Sequence, residues 1–135
     1  MTVSEVFENT HYSPFVRSYL ETALWSSTDD KGNPLDGSKY SDIELAESTI
    51  QRFVADCERF ETESDPIINS VTEYHAASLL SRQPIAHDFW LTRNRHGAGF
   101  WDGDYPEPLA TQLTDLAHSF GECDLYIGDD GKLYC

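Results

Sequence analysis

The sequence predicts an α+β domain, about four helices packed on a small antiparallel sheet built from two β-hairpins. Three observations carry this. Apolar residues recur at helical spacing behind capping signals; the tail CDLYIGDDGKLYC alternates apolar and polar residues around a GDDG turn; and a central stretch, HDFWLTRNRHGAGFWDGDY at residues 87–105, places two aromatic pairs on either side of a Gly-rich turn. A chain of 135 residues fits one domain, 1–135, and 39% hydrophobic content is enough to furnish one core.

Ser13 before Pro14 is an N-cap with proline in the first turn, and Phe15, Tyr19, Leu20 and Leu24 continue a helix to about Ser26. The stretch STDDKGNPLDGSKYS at residues 27–41 is dense in Asp, Gly, Asn and Pro and reads as a long, functional loop. Ser41 with Glu44 forms a capping box, opening a second helix whose apolar face is Ile43, Ala46, Ile50, Phe53, Val54, Cys57 and Phe60. Asp65 and Pro66 look like the start of a third helix through Val71, Tyr74 and Leu79 to about Ser81, ended by Pro84. Leu109, Leu113, Leu116, Ala117 and Phe120 define a fourth, closed by Gly121. In the central motif, Gly97 and Gly99 supply the turn of one hairpin, and the tail supplies the second.

Net charge is −15 and the isoelectric point is near 4.4. Contact with nucleic-acid phosphates needs a basic stripe, so direct DNA or RNA binding is disfavoured. Spaced carboxylates that imitate a phosphate backbone are the reverse arrangement. Asp29, Asp30 and Asp36 in the long loop, with Glu44, Glu47, Glu58 and Glu61 on the second helix, would spread negative charge along one edge. Any acidic amphipathic helix displays the same pattern, and Arg17, Arg52 and Arg59 interrupt it. No apolar run approaches a membrane span and no signal-peptide pattern opens the chain, so a soluble, cytoplasmic protein is expected. Cys57, Cys123 and Cys135 lack CxxC spacing; Cys57 suits the core, and the other two face each other across the tail hairpin as free thiols.

The segment from Arg82 to Trp101 concentrates arginine in an otherwise acidic chain. Arg93, Arg95 and His96 beside Gly97 and Gly99 form either a clamp for an anion or a structural set of ion pairs. In a hairpin, one member of each aromatic pair, Phe89–Trp90 and Phe100–Trp101, points away from the core as a stacking platform or interface anchor, unless a helix or loop covers it. His87, Asp88, His96, Asp102 and Asp104 supply metal-ligand and acid–base residue types, but their spacing matches no ligand pattern. No P-loop and no GxSxG elbow occurs, so no catalytic residue, metal or cofactor is assigned.

Three segments, ALWSSTDDKGNPLD (23–36), DFWLTRNRHGAGFWDG (88–103) and DLYIGDDGKLY (124–134), give the chain a specific signature. On these it resembles a widespread group of small, uncharacterised tailed-bacteriophage proteins. The resemblance implies a phage accessory protein working in the cytoplasm of a bacterial host, and it brings no catalytic residues. Charge and resemblance together lead to a non-enzymatic protein that binds a host protein, a defence or nucleic-acid-processing factor. Its contacts would be the acidic surface and the central motif, here Arg93, Arg95, His96, Gly97, Gly99, Trp90, Trp101 and Asp102. DNA mimicry and anti-defence inhibition are its sharpest forms. The alternative is a small-molecule module for a phosphorylated nucleotide, with Arg93, Arg95 and His96 at the anion and Trp90 or Trp101 stacked on the base.

Overall fold

The computed structural model describes residues 1–70, 83–102 and 105–135. Their order is α1 (Val3–Glu8), α2 (Pro14–Ser26), a 3₁₀ turn (Ser38–Tyr40), α3 (Glu47–Asn69), α4 (Gln83–Arg93), α5 (Leu109–Ser119), β1 (Tyr126–Ile127) and β2 (Leu133–Tyr134). Helices with a small antiparallel sheet are therefore what the chain forms, but the sheet contains one hairpin rather than two.

α2 has the predicted bounds. Ser13 Oγ accepts from the Val16 N–H and Pro14 occupies the first turn, where its missing donor costs nothing. α1 carries the same kind of signal, a Thr2–Glu5 capping box, and the Asp42 carboxylate also accepts from the Ser4 N–H at its start.

α3 differs from the expectation at both ends. Ser41 does not cap it; Glu44 and Leu45 are extended, Leu45 bridging Leu133, and Ala46 is the N-cap. Nor does the helix stop at Asp65–Pro66. The buried stripe Phe53, Cys57, Phe60, Ser64 and Ile68 continues through the proline, so burial of Ile68 outweighs the single helical bond that Pro66 cannot donate. The third helix expected from Val71 to Ser81 lies in residues outside those described. Pro84 stands in the first turn of α4.

The central motif is the main correction. Residues 88–93 are helical, the last half of α4, and 94–102 form a turn-rich segment, so no hairpin is centred on RHGAG. The cause is burial on almost every side. Ile85, Phe89 and Arg93 share one side at four-residue spacing, Ala86 and Trp90 the next, and all five are buried together with Asp88, Leu91 and Thr92. A helix covered all round has no polar face, hence no amphipathic period to read. Both Phe89 and Trp90 lie in the core, as does Phe100; of the four aromatic residues only Trp101, 45% exposed, reaches solvent.

α4 is accordingly the centre of the molecule. It packs against α2 and α5, while α3 packs against α2 and α5. An aromatic cluster fills the space between: Phe60 stacks on Phe89 at 4.1 Å, and Tyr19 meets Phe53 and Trp90 edge-on at 5.0 and 5.2 Å. The Trp90 indole N–H donates to Ser26 Oγ at 2.8 Å, which satisfies its one polar atom in place.

α5 ends as predicted, with Phe120 as C-cap and Gly121 at φ +74°. The tail hairpin has Tyr126 opposite Tyr134 and Ile127 opposite Leu133. Leu125 and Leu133 are buried, and the two tyrosine rings stack at 5.8 Å on the other face. The sheet extends beyond the hairpin: the Leu133 N–H donates to Glu44 O, the Ala46 N–H to Leu133 O, and Glu44 bridges Thr2. Cys123 and Cys135 are joined as a disulfide, Cα atoms 5.2 Å apart, in place of the expected free thiols, because the hairpin brings its two ends within bridging reach. Cys57 is fully buried, and burial pushes its thiol far up.

Two measurements check this chemistry together. Native protein should show no thiol reactive toward a disulfide-exchange reagent, and denatured, unreduced protein should show one, Cys57. Replacing Cys135 with Ser should lower the unfolding free energy by about 2–3 kcal/mol, read from urea melts.

Candidate functional site

The sequence-predicted site divides into a buried part and an exposed part, and the division falls between adjacent arginines. Arg93 ends α4 pointing inward, with its side chain fully buried. Its Nη1 donates to Asp56 Oδ2 at 2.6 Å and to the Tyr19 hydroxyl at 3.0 Å; Nε donates to Gly121 O at 3.0 Å, and Nη2 to Phe120 O at 3.1 Å. The plane also lies over the Phe89 and Phe120 rings. One guanidinium thus holds α3, α2 and the end of α5 to α4. Burial works against its charge, but the Tyr19 oxygen and Asp56 carboxylate more than offset this and the guanidinium is held more firmly protonated. Burial also pushes the Tyr19 phenol well up, so it stays neutral. Arg93 is the structural ion pair of the two sequence readings, with no donor geometry left facing solvent for an anion clamp. Trp90 is likewise core and leaves the set of candidate ligand contacts.

Arg95 is the opposite case. It is exposed, and among the described residues its guanidinium has no hydrogen-bond or ion-pair partner. Its backbone sits at φ +57°, the left-handed position after a helix end: the Arg95 N–H donates to Thr92 O and the His96 N–H to Leu91 O, the paired bonds of a Schellman motif. That position favours glycine, so an arginine here carries backbone strain of about 1 kcal/mol. The strained turn projects a free guanidinium from the end of a rigid core helix.

The segment that follows is folded by short contacts. Gly99, at φ +155°, lies against Thr92; a Cβ there would fall 2.1 Å from Thr92 Oγ1, so only glycine fits. Thr92 Oγ1 accepts from the Phe100 N–H, which drives Phe100 into the core and leaves Trp101 at the surface. Gly97, at φ +77°, is open to solvent. Asp102 accepts from the Gly99 N–H at 3.3 Å, and His96 Nε2 lies 3.4 Å from Asp124 Oδ1. The exposed set is therefore Arg95, His96, Trp101 and Asp102.

The expected acid–base residues do not converge. His87 Nδ1 meets Thr22 Oγ1 at 3.1 Å beneath Trp25, Asp88 accepts from the Tyr105 hydroxyl, and His96 pairs with Asp124. Asp104 is outside the described residues. Among the described residues, no three His, Cys, Asp or Glu side chains gather as a metal site.

The acidic residues are also of two kinds. Asp29 is an organiser of the 27–41 loop: it accepts from the Tyr40 hydroxyl at 2.5 Å, from the Lys31 and Asn33 N–H groups, from Asn33 Nδ2, and pairs with Lys39 at 3.3 Å. The Tyr40 hydrogen bond leads the causes that hold its carboxyl well below the usual range. Glu44 pairs with Lys132 at 3.0 Å, which lowers its pKa, and Glu61 is half-buried, with burial and neighbouring Glu58 raising its pKa. Asp30, Asp36, Glu47 and Glu58 face solvent. Arg52 and Arg59 are spent within α3 on Asp56 and Glu63. Overall, seventeen described acidic residues are exposed against five basic ones.

Asp56 was missed in the sequence because it lies on the charged side of a helix, where carboxylates are ordinary. Its signal was available only as a question, namely which carboxylate would neutralise Arg93.

No family model, no curated protein and no solved structure matches the chain. No helix among the described residues is long and apolar enough to cross a membrane.

The two arginines should separate in a stability assay. Arg93→Met leaves the buried Tyr19 phenol and the Phe120 and Gly121 carbonyls without their donor and Asp56 with Arg52 alone, and should cost about 3 kcal/mol in chemical denaturation; Arg95→Gly should stabilise by about 1 kcal/mol by relieving the left-handed turn. For Asp29 the effect depends on pH. Its pKa is depressed from 3.8, so the loop's contribution is fully present above that value and fades as pH falls toward the lower folded value. Asp29→Asn should therefore lower the urea midpoint at pH 7, with the gap from wild type narrowing progressively below pH 3.8.

Proposed function

We propose that this chain is a binding protein, not an enzyme, and that it engages a basic partner through its exposed carboxylates with Arg95 and Trp101 as a local anchor. The observation that carries the reading is the surface imbalance: among the described residues carboxylates face solvent with few exposed cations to neutralise them, and Arg93 is turned into the core. Uncompensated charge of one sign steers association with a partner of the other and is tolerated at a cost in stability. Trp and Arg are the residue types that anchor interfaces most strongly. In the setting implied by the resemblance to tailed-bacteriophage proteins, the partner is a bacterial host protein that handles nucleic acid or defends against phage. Occupying a DNA-binding groove is the specific form of that interaction.

The nucleotide-binding alternative has less support, because Arg93 and Trp90, two of its proposed contacts, are held by protein groups in the core.

The test is a host-lysate capture with and without nuclease, followed by binding measurements on the purified partner. Raising salt from about 50 to about 200 mM should lower affinity by about tenfold or more, and duplex DNA should compete. Glu47→Lys with Glu58→Lys should weaken binding without altering the fold. Affinity indifferent to both salt and DNA would discard mimicry and leave the Arg95–Trp101 segment as the anchor.

A further inference from the structure

An open cleft of about 520 Å³ lies between the 27–41 loop and the tail hairpin, lined by Thr28 to Lys31, Lys39, Tyr40 and Leu125 to Ile127. Its hairpin wall is a sheet edge. The sheet runs from Thr2 through Glu44 and Leu45 to β2 and then β1, so β1 is the last strand among the described residues. Antiparallel pairs alternate between those that exchange hydrogen bonds and those that do not. The Gly128 N–H donates to Lys132 O, and both backbone groups of Leu133 are turned to the Glu44–Ala46 side, so Ile127–Leu133 is a pair that exchanges none. The Ile127 N–H and C=O therefore point outward from the sheet, and no described residue accepts from or donates to them.

The opposite wall is built in advance. Asp29 gathers two backbone N–H groups, Asn33, Lys39 and the Tyr40 hydroxyl, which fixes the loop at a distance from the edge instead of letting it close onto β1. The result is a groove with unused main-chain donor and acceptor on one side and a rigid polar wall on the other. Above it stands the exposed ring of Tyr126, backed by Tyr134. Asp30 on the loop wall is exposed, and beyond Ile127 an adjoining depression is lined by the exposed Asp129 and by Asp130, whose carboxylate already accepts from the Tyr134 hydroxyl; Lys39 is tied to Asp29, and Lys31 is the untied cation of the cleft wall.

We propose that this groove takes an extended, lysine- or arginine-bearing segment of a partner protein as an added strand on β1. The segment would exchange main-chain hydrogen bonds with Ile127, lay an apolar side chain against Leu125 and Ile127, and direct a cation to Asp30 on the loop wall or to Asp129 just beyond the end of β1. This deepens the binding-protein reading by giving the basic partner a point of attachment, and it rests on that reading only for the sign of the charge.

The experiment uses full-length protein with a single backbone atom altered. Ligating residues 1–122 to a synthetic 123–135 segment at Cys123 allows N-methylation of Ile127, which removes the outward N–H and leaves the side chain and the hairpin bonds. The probes are short capped peptides alternating Val with Lys, Val with Thr and Val with Glu, and inorganic phosphate, followed by amide chemical shifts and hydrogen exchange. The Val–Lys peptide should shift Tyr126, Ile127 and Lys31, slow exchange of the Ile127 amide, and bind about tenfold or more weakly to the N-methylated protein. Ile127→Pro should act in the same direction in the recombinant chain. Salt-sensitive Val–Lys binding that N-methylation leaves unchanged would overturn the strand-addition proposal while keeping the acidic-surface reading. Equal, N-methyl-sensitive binding of the Val–Lys and Val–Thr peptides would keep the groove and overturn its preference for a basic segment. Preference for the Val–Glu peptide or phosphate, or no peptide binding at millimolar concentration, would overturn the proposal outright.

Discussion

The fold depends on one buried guanidinium. Arg93 is, among the described residues, the only charged side chain with no exposure at all, and it compensates its own desolvation by meeting a carboxylate, a phenol and two main-chain carbonyls. Phe120 O, at the C-cap, is one of the carbonyls that the end of α5 leaves without a helical partner, and Gly121 O follows it in the turn, so the same group that pairs with Asp56 also finishes a helix. Around it the aromatic rings of Tyr19, Phe89 and Phe120 exclude water, which strengthens each polar contact and makes each costly to lose. Hydrophobic packing alone could place α2, α3 and α5 around α4 in several rotations. A planar fork with fixed donor directions accepts only one of them.

How much of this the sequence made legible follows from which elements show two environments. α2, α5 and the tail hairpin each have an inner and an outer face, and their periods are visible: the apolar spacing of Leu109, Leu113 and Ala117, and Leu125 and Leu133 inward against Tyr126 and Tyr134 outward. α4 has no outer face, so Phe89 beside Trp90 looks like the alternation of a strand. The long stripe of α3 was readable as far as Phe60. Past it the local chemistry of Asp65 and Pro66 suggested a boundary that the buried Ile68 overrides.

The candidate site was legible as a place and ambiguous in its parts. Arginines two positions apart, Arg93 and Arg95, are indistinguishable by type and neighbourhood, yet one sits within the helix and the other just past its end, which sends their side chains to opposite environments. The acidic edge was similarly readable in amount but not in assignment. Asp29 and Glu44 turn out to be tied to cations within the molecule, while Asp30, Glu47 and Glu58 face water. What no composition could reveal is the direction of the Ile127 main chain, because it depends on a register set by residues 44 to 46 and 133.

That register has a consequence for how the molecule comes together. The Thr49 hydroxyl and the Ala46 N–H both close on Leu133 O, the former across 84 residues of chain, so the start of α3 is tied to the end of the tail hairpin. Loop-closure entropy grows only slowly with length, so this closure costs hardly more than the Arg93–Tyr19 contact across 74 residues, and the strip of sheet belongs to the same long-range framework as the helices. A fragment that stops before Leu133 loses a core side chain and the Cys123–Cys135 bridge and leaves residues 44 to 46 as a bare edge, with unpaired main-chain groups beside an apolar face. Self-association, rather than simple unfolding, is the fate that such a fragment invites.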